Sequence, residues 1–185
     1  PLRILERDVL SIPSISSNPP DRCYHCKRLI MDTIAKAAAE DGYAIIADGT
    51  NASDDASDRP GTRALKELGI RSPLRECSLT KDEIRRLSRE AGLFTWDKSA
   101  YACLATRIPS GEPIDKEKLS ITEEAEDFLQ SLGFSDFRVR FLAGCARIQI
   151  RRFQYPLLLE KRTEINNKLG KLYKAVLLDM EARDE

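Results

Sequence analysis

Only one histidine, one tryptophan and two methionines occur in these 185 residues, and no low-complexity tract or internal repeat stands out. The 30 basic and 30 acidic side chains cancel. A balanced charge gives no support to a large nucleic-acid footprint, although it leaves room for a local basic patch. No apolar run is long enough to span a bilayer and no signal peptide is visible. Five cysteines are an odd number with no compact framework, which excludes a disulfide scaffold and points to a reducing cytoplasm. The lone histidine, His25, reads as incidental. What is left is the composition of an ordinary globular protein, 42% hydrophobic and 32% charged, long enough for one substantial core or two small ones.

The cysteines that are present carry the strongest signal. Cys23 and Cys26 follow Asn18-Pro19-Pro20-Asp21-Arg22. The two prolines cannot continue a helix, Asp21 is a good N-cap, and the run to Glu40 reads as helix, so both sulfurs fall in its first turn on one face. Free N–H groups and the positive dipole end there favour thiolates. A CxxC alone is ambiguous among zinc, iron–sulfur and redox chemistry. A third cysteine, Cys103, lies in Trp96 to Gly111, which has neither helical nor strand period and reads as an ordered loop. Cys77, in an expected short strand, and Cys145, in an alternating run, read as small buried hydrophobes. Trp96 reads as a packing residue.

The element order divides the chain. A strand at 3–9, a helix at 22–40, a buried-type strand at 43–48, a short helix at 62–68, a strand at 73–79 and a helix at 81–91 imply a parallel α/β sheet. Thr80 and Glu83 form a capping box at the last of these. Beyond Gly111-Glu112-Pro113 the expected order is helix 115–132, strands 137–142 and 145–151, helix 156–169 and strand 172–179, an α+β pattern. The domain boundary is placed near residue 112.

Two further places could bind ligands. Asp48-Gly49-Thr50-Asn51 follows a buried-type strand, where ligands bind in open α/β sheets, and Asp48 and Asn51 could bond a nucleotide or hold Mg²⁺. A turn rich in Asx residues reads equally well. Arg59, in Asp58-Arg59-Pro60-Gly61, stands before a helix start as an anion site or as a solvated turn. Arg138 and Arg140 alternate with apolar neighbours and so share one strand face; with Arg147 they form a cationic patch suited to phosphate, or a plain solvated sheet face.

Together, Asn-Pro-Pro-Asp-Arg-Cys-x-x-Cys-Lys, Asp-Gly-Thr-Asn with Asp-Arg-Pro-Gly, Ala-Cys-Leu-Ala-Thr-Arg-Ile-Pro-x-Gly, and Phe-Arg-Val-Arg with Ala-Arg-Ile resemble the LarE family. This family comprises ATP-dependent sulfur transferases of the PP-loop pyrophosphatase superfamily. The resemblance covers essentially the whole chain in order. It implies an adenine nucleotide alpha hydrolase-like parallel sheet domain over 1–112, followed by a small α+β substrate and oligomerisation domain over 113–185. It also implies sulfur insertion into pyridinium-3,5-biscarboxylic acid mononucleotide for a nickel-pincer cofactor, by carboxylate adenylation with release of pyrophosphate.

Carried over residue by residue, the resemblance assigns ATP and Mg²⁺ to Asp48, Gly49, Asn51 and Arg59. It gives the acceptor phosphate to Thr106, Arg138 and Arg140, with Arg107 and Glu126 lining the same pocket as catalytic residues. Cys23, Cys26 and Cys103 resemble the ligands of a [4Fe–4S] cluster in the branch that takes sulfide from an exogenous donor; Cys103 is then both metal ligand and catalytic residue. The resemblance further implies a homo-oligomer, a hexamer, while the balanced charge and the lack of a long apolar run argue against a nucleic-acid or membrane partner. One departure stands out: the Ser-Gly-Gly-x-Asp-Ser phosphate loop is absent, and the resemblance places it ahead of Pro1. The chain as written is therefore expected to hydrolyse ATP poorly. A PP-loop tRNA thiolation enzyme, an ammonia-using PP-loop ligase and a zinc-stabilised binding module remain as alternatives.

Overall fold

The computed structural model of the chain describes residues 2–54, 60–98 and 101–183, in two compact units. The first runs to Ile15 and resumes over Pro19–Lys98; the second takes Ser16–Asn18 and residues 99–185. The loop that carries Cys103 is thus grouped with the second unit.

The first unit is mainly helical. After a short helix α1 (Pro13–Ser16), α2 spans Arg22–Glu40, α3 Pro60–Glu67, α4 Pro73–Glu76 and α5 Lys81–Glu90. Helix α2 starts where the prolines stop obstructing, with Arg22 N bonded to Pro19 O at 2.9 Å. Asp21 holds the N-cap position, but its carboxylate makes no cap bond and turns instead to His25 Nε2 at 3.2 Å. The expected box at α5 is present, with Thr80 N on Glu83 Oε2 at 2.9 Å and Glu83 N on Thr80 Oγ1 at 3.3 Å.

The parallel sheet expected here is not formed among the described residues. Residues 43–48 make only one isolated parallel bridge, Ala47 to Arg71. Parallel strands depend on cover over both faces, and here Tyr43 and Ile45 stand 64% and 71% exposed. Residues 3–8 are not a strand either; Arg3 pairs with Glu40 and Asp41, and Asp8 caps a 3₁₀ turn at Val9–Ser11. The expected strand at 73–79 is the helix α4, because Pro73 sits at the first helical position, where its fixed φ and missing N–H cost nothing.

The second unit follows the predicted order. Helix α6 (Lys116–Ser131) is capped by Asp115, whose carboxylate accepts Lys118 N at 2.7 Å. Then come β1 (Arg138–Leu142), β2 (Cys145–Gln149), α7 (Tyr155–Leu169) and β3 (Val176–Leu178). Strand β2 is central, antiparallel to β1 and parallel to β3. Ala143 and Gly144 join β1 to β2 with φ of 50° and 84°. Both left-handed residues are what a two-residue type I′ hairpin requires. Val139, Phe141, Ala146 and Ile148 form the inner sheet face, buried with Ala125, Leu129, Ile165 and Leu169 of α6 and α7. The strand period of two then leaves Arg138, Arg140, Arg147 and Gln149 on the outer face.

Candidate functional site

In the second unit the side chains converge around Glu126. Its Oε1 accepts Arg107 Nε at 2.6 Å and Val139 N at 2.9 Å, while Oε2 accepts Arg107 Nη2 at 2.9 Å. One carboxylate therefore ties α6, β1 and the 3₁₀ turn Leu104–Arg107 together. The remaining Arg107 nitrogen reaches Thr106 Oγ1 at 2.9 Å, and that hydroxyl donates to Cys103 O at 2.7 Å. Tyr101 lies over the Arg107 guanidinium at 5.5 Å; burial and Glu126 hold its phenol above the usual range.

Arg140 continues the site onto the sheet, with Nη1 on Thr106 O at 3.4 Å and Nε on Gln149 Oε1 at 3.3 Å. Directly across the ladder from it stands Arg147. Like charges placed opposite destabilise a sheet unless an anion joins them. Burial, then Arg147, Arg107 and Arg183, push the Arg140 guanidinium below its ordinary range; burial, then Arg107 and Arg183, do so for Arg138. The carboxylates nearby are already engaged: Asp136 with Arg183 at 2.8 Å and Arg151 at 3.3 Å, Asp179 with Arg147 at 3.4 Å. Such a face is suited to a polyvalent oxyanion.

In the first unit, Asp48 holds its loop. Oδ1 accepts Thr50 N at 3.1 Å and Ser72 Oγ at 2.7 Å, and Oδ2 accepts Thr50 Oγ1 at 2.6 Å. Burial raises the Asp48 carboxyl, but the Thr50 and Ser72 bonds and Lys27 outweigh it, leaving it below the usual value. Asn51 Oδ1 accepts Ser53 N at 2.9 Å. Asp48 and Asn51 thus each make the Asx-type bond of the turn reading. A side chain at Gly49 would meet nothing within 4 Å. Beside this loop lies a cavity of about 390 Å³ lined by Cys23, Lys27, Thr50, Asp54, Gly61 and Arg75. Arg59 lies outside the described residues.

Cys23 lies in the first turn of α2 and Cys26 three residues on, neither in a disulfide, and Cys23 is exposed with Arg22 Nη2 at 3.4 Å from its sulfur. Cys103 is an exposed free thiol of the second unit. Among the described residues no three His, Cys, Asp or Glu side chains are gathered as a metal site. By donor chemistry the CxxC pair fits two corners of an iron–sulfur cluster. Cys77 is exposed at the end of α4 rather than buried, since the expected strand there is a helix; Cys145 is half-buried. Trp96 is exposed, with Arg89 stacked on it at 4.8 Å, rather than packed in a core. Among the described residues no helix is long and apolar enough to cross a membrane.

Sequence reasoning missed several partners. Lys27 follows Cys23 by four residues, one helical turn, and that spacing could have found it. Arg75 was hidden in a segment read as strand. Asp136, with φ 45°, and Arg183 join through the fold, with no local signal.

Fold and site define a mixed α/β protein with a buried Arg–Glu pair beneath an arginine-faced sheet. No family model matches the chain. It is 39% identical over 183 residues to the uncharacterized protein slr1717 of Synechocystis sp., covering 96% of this chain and 68% of the relative. It is 34% identical over 174 residues to the pyridinium-3,5-bisthiocarboxylic acid mononucleotide synthase of Lactiplantibacillus plantarum, covering 94% of this chain and 63% of that enzyme. A third relative, the uncharacterized protein MJ0830 of Methanocaldococcus jannaschii, is 32% identical over 177 residues, with coverage of 96% and 69%. The chain spans between about three fifths and seven tenths of these relatives' lengths. It belongs to the family of slr1717 and MJ0830, each of which it covers to more than two thirds.

Proposed function

We propose that this chain inserts sulfur into pyridinium-3,5-biscarboxylic acid mononucleotide as an ATP-dependent sulfurtransferase. The name of the Lactiplantibacillus plantarum relative supports the substrate class. The observation that carries the reading is the placing of Thr106, Arg138 and Arg140 around the Arg107–Glu126 pair. In this reading Thr106, Arg138 and Arg140 hold the acceptor phosphate. Glu126 keeps Arg107 oriented, and Arg107 in turn holds Thr106 Oγ1 at 2.9 Å and adds positive charge beneath the bound acceptor.

The reaction balances in two steps. A carboxylate oxygen attacks the α-phosphorus of ATP, forming an acyl-adenylate and releasing pyrophosphate; sulfide then attacks the acyl carbon and AMP leaves with the electron pair of the broken C–O bond, giving the thiocarboxylate. Asp48, Gly49, Asn51 and Arg59 are assigned to ATP, with Mg²⁺ neutralising the departing pyrophosphate and Lys27 and Arg75 facing the adjoining cavity. Cys23, Cys26 and Cys103 would hold a [4Fe–4S] cluster. With three thiolate ligands the cluster would offer one iron to an exogenous sulfide donor. The parts act as a nucleotide domain over 1–112 and a substrate and oligomerisation domain over 113–185, in a cytoplasmic homo-oligomer, a hexamer by resemblance.

The test is product analysis. A version extended ahead of Pro1 by a segment carrying a Ser-Gly-Gly-x-Asp-Ser loop is incubated beside this chain with acceptor, ATP, Mg²⁺ and sulfide. AMP and pyrophosphate should appear in step with thiocarboxylate, from the extended version far faster. Release of ADP, or equal rates from both, would overturn the mechanism.

A further inference from the structure

Three arginines meet at a second place on the outer sheet face. A cavity of about 520 Å³ lies there, lined by Arg140 and Gln149 from the strands, Arg152 from the turn after β2, and Glu181 and Arg183 from the tail after β3. That volume is within the range of small-molecule sites. The tail is fixed by its backbone, Asp179 N on Ile148 O at 2.8 Å and Arg183 N on Ile150 O at 2.9 Å. Arg183 is aimed by Asp136, which accepts its Nη2 at 2.8 Å on Oδ1 and its Nε at 3.1 Å on the backbone oxygen. Gln149 is oriented at both ends, its Oε1 by Arg140 at 3.3 Å and its Nε2 on Glu181 O at 3.5 Å. Three guanidinium groups against one carboxylate leave the lining positive.

We propose, resting on the acceptor reading above, that this cavity is a carboxylate subsite in which Arg152 and Arg183 hold the acceptor carboxylate that is not being activated. A ring diacid can be adenylated at only one carboxyl at a time, and the other remains an anion that must be partnered when it leaves water. Arg140 borders both places, so a phosphate on Thr106, Arg138 and Arg140 puts the ring of the same molecule within reach of the cavity. Guanidinium groups suit the planar carboxylate by two-point bonding. After the first sulfur is installed, the resulting thiocarboxylate is still a planar anion of similar shape. It can take the same subsite with the ring turned over, which exposes the second carboxylate for activation.

Calorimetric binding to the whole chain, with three mononucleotides bearing two, one and no ring carboxyl groups, tests this: the 3,5-dicarboxylate, nicotinate mononucleotide and nicotinamide mononucleotide. The two carboxylate-bearing mononucleotides should bind the wild-type protein about tenfold or more tightly than nicotinamide mononucleotide. Arg152→Gln, at an exposed turn position, and Arg183→Gln should each abolish that preference while leaving nicotinamide mononucleotide binding unchanged. Arg138→Ala should weaken all three equally. A preference that survives both glutamine variants overturns the subsite alone, whereas wild-type protein that binds none of the three removes the acceptor reading and the subsite with it.

Discussion

Arg107 and Glu126 form a two-point pair, at 2.6 and 2.9 Å, whose side chains are only 1% and 3% exposed. A third bond, from Val139 N to Glu126 Oε1, makes the pair a fastening between helix and sheet as well as a charge in the site. Removing one partner strands a buried charge, which typically costs about 3–5 kcal/mol. Glu126→Ala should therefore lower the unfolding free energy by about that amount in urea titrations followed by circular dichroism. The double variant Arg107→Met with Glu126→Leu should lose less than Glu126→Ala. A loss below about 1 kcal/mol for Glu126→Ala, the range of exposed pairs, would show that the pair is not buried as described.

Arg138 and Arg140 should carry phosphate affinity. Replacing either with Ala removes a charge-assisted contact of about 1.5–3 kcal/mol, so acceptor binding should weaken by one to two orders of magnitude while ATP binding is spared. Unchanged acceptor affinity in both variants would remove them from the site.

Much of the second unit was legible because its segments are locally consistent. The expected helix at 115–132, the alternation from Phe137 to Phe141 and the strand expected from residue 145 all agree with the structure that forms. The same alternation placed Arg138 and Arg140 on one face. The first unit was less legible. Residues 43–48 have the apolar run of a buried strand, but a run states only that cover is wanted, and Ile45 has little. Pro73 carried a helix-start signal that the apolar content of 73–79 obscured. Long-range pairings such as Arg183 with Asp136 have no local period and could not be read at all.

The cysteines divide into two sets. Cys23→Ala, Cys26→Ala and Cys103→Ala should each abolish cluster binding, read as loss of iron, sulfide and visible absorption after anaerobic reconstitution, while Cys145→Ala should keep all three. Cys77 is exposed but is no part of the proposed ligand set, so Cys77→Ala should also retain the cluster. Full iron and sulfide content in the Cys103 variant would remove Cys103 from the ligand set.

Asn18 fastens the start of the second unit. With φ 55° it takes the left-handed conformation that Asn tolerates, and its side-chain amide donates to Pro109 O at 2.8 Å and Glu112 O at 3.1 Å. Its own carbonyl accepts Gly111 N at 2.8 Å. Asn18→Ala would take the amide from those part-buried carbonyls and strain the backbone, a cost of about 1–3 kcal/mol. Asn18→Gly relieves the strain but not the lost bonds, so its stability in thermal melts should fall between wild type and Ala. Equal stability of all three would show that the amide contributes nothing.

Acid should loosen the arginine face through Asp136. Burial raises its carboxyl, but the Arg183 bond and the charges of Arg183, Arg138 and Arg151 outweigh it, so the folded value lies below the usual one. A depressed folded value means the stabilisation is complete above the unfolded value of about 3.9 and is lost as pH falls through the lower folded value. The stability difference between wild type and Asp136→Asn should thus be flat from neutral pH to about pH 5 and shrink below about pH 4. Urea titrations across that range measure it directly. A difference that stays constant into the acid limb would mean that the Asp136 charge does not hold Arg183.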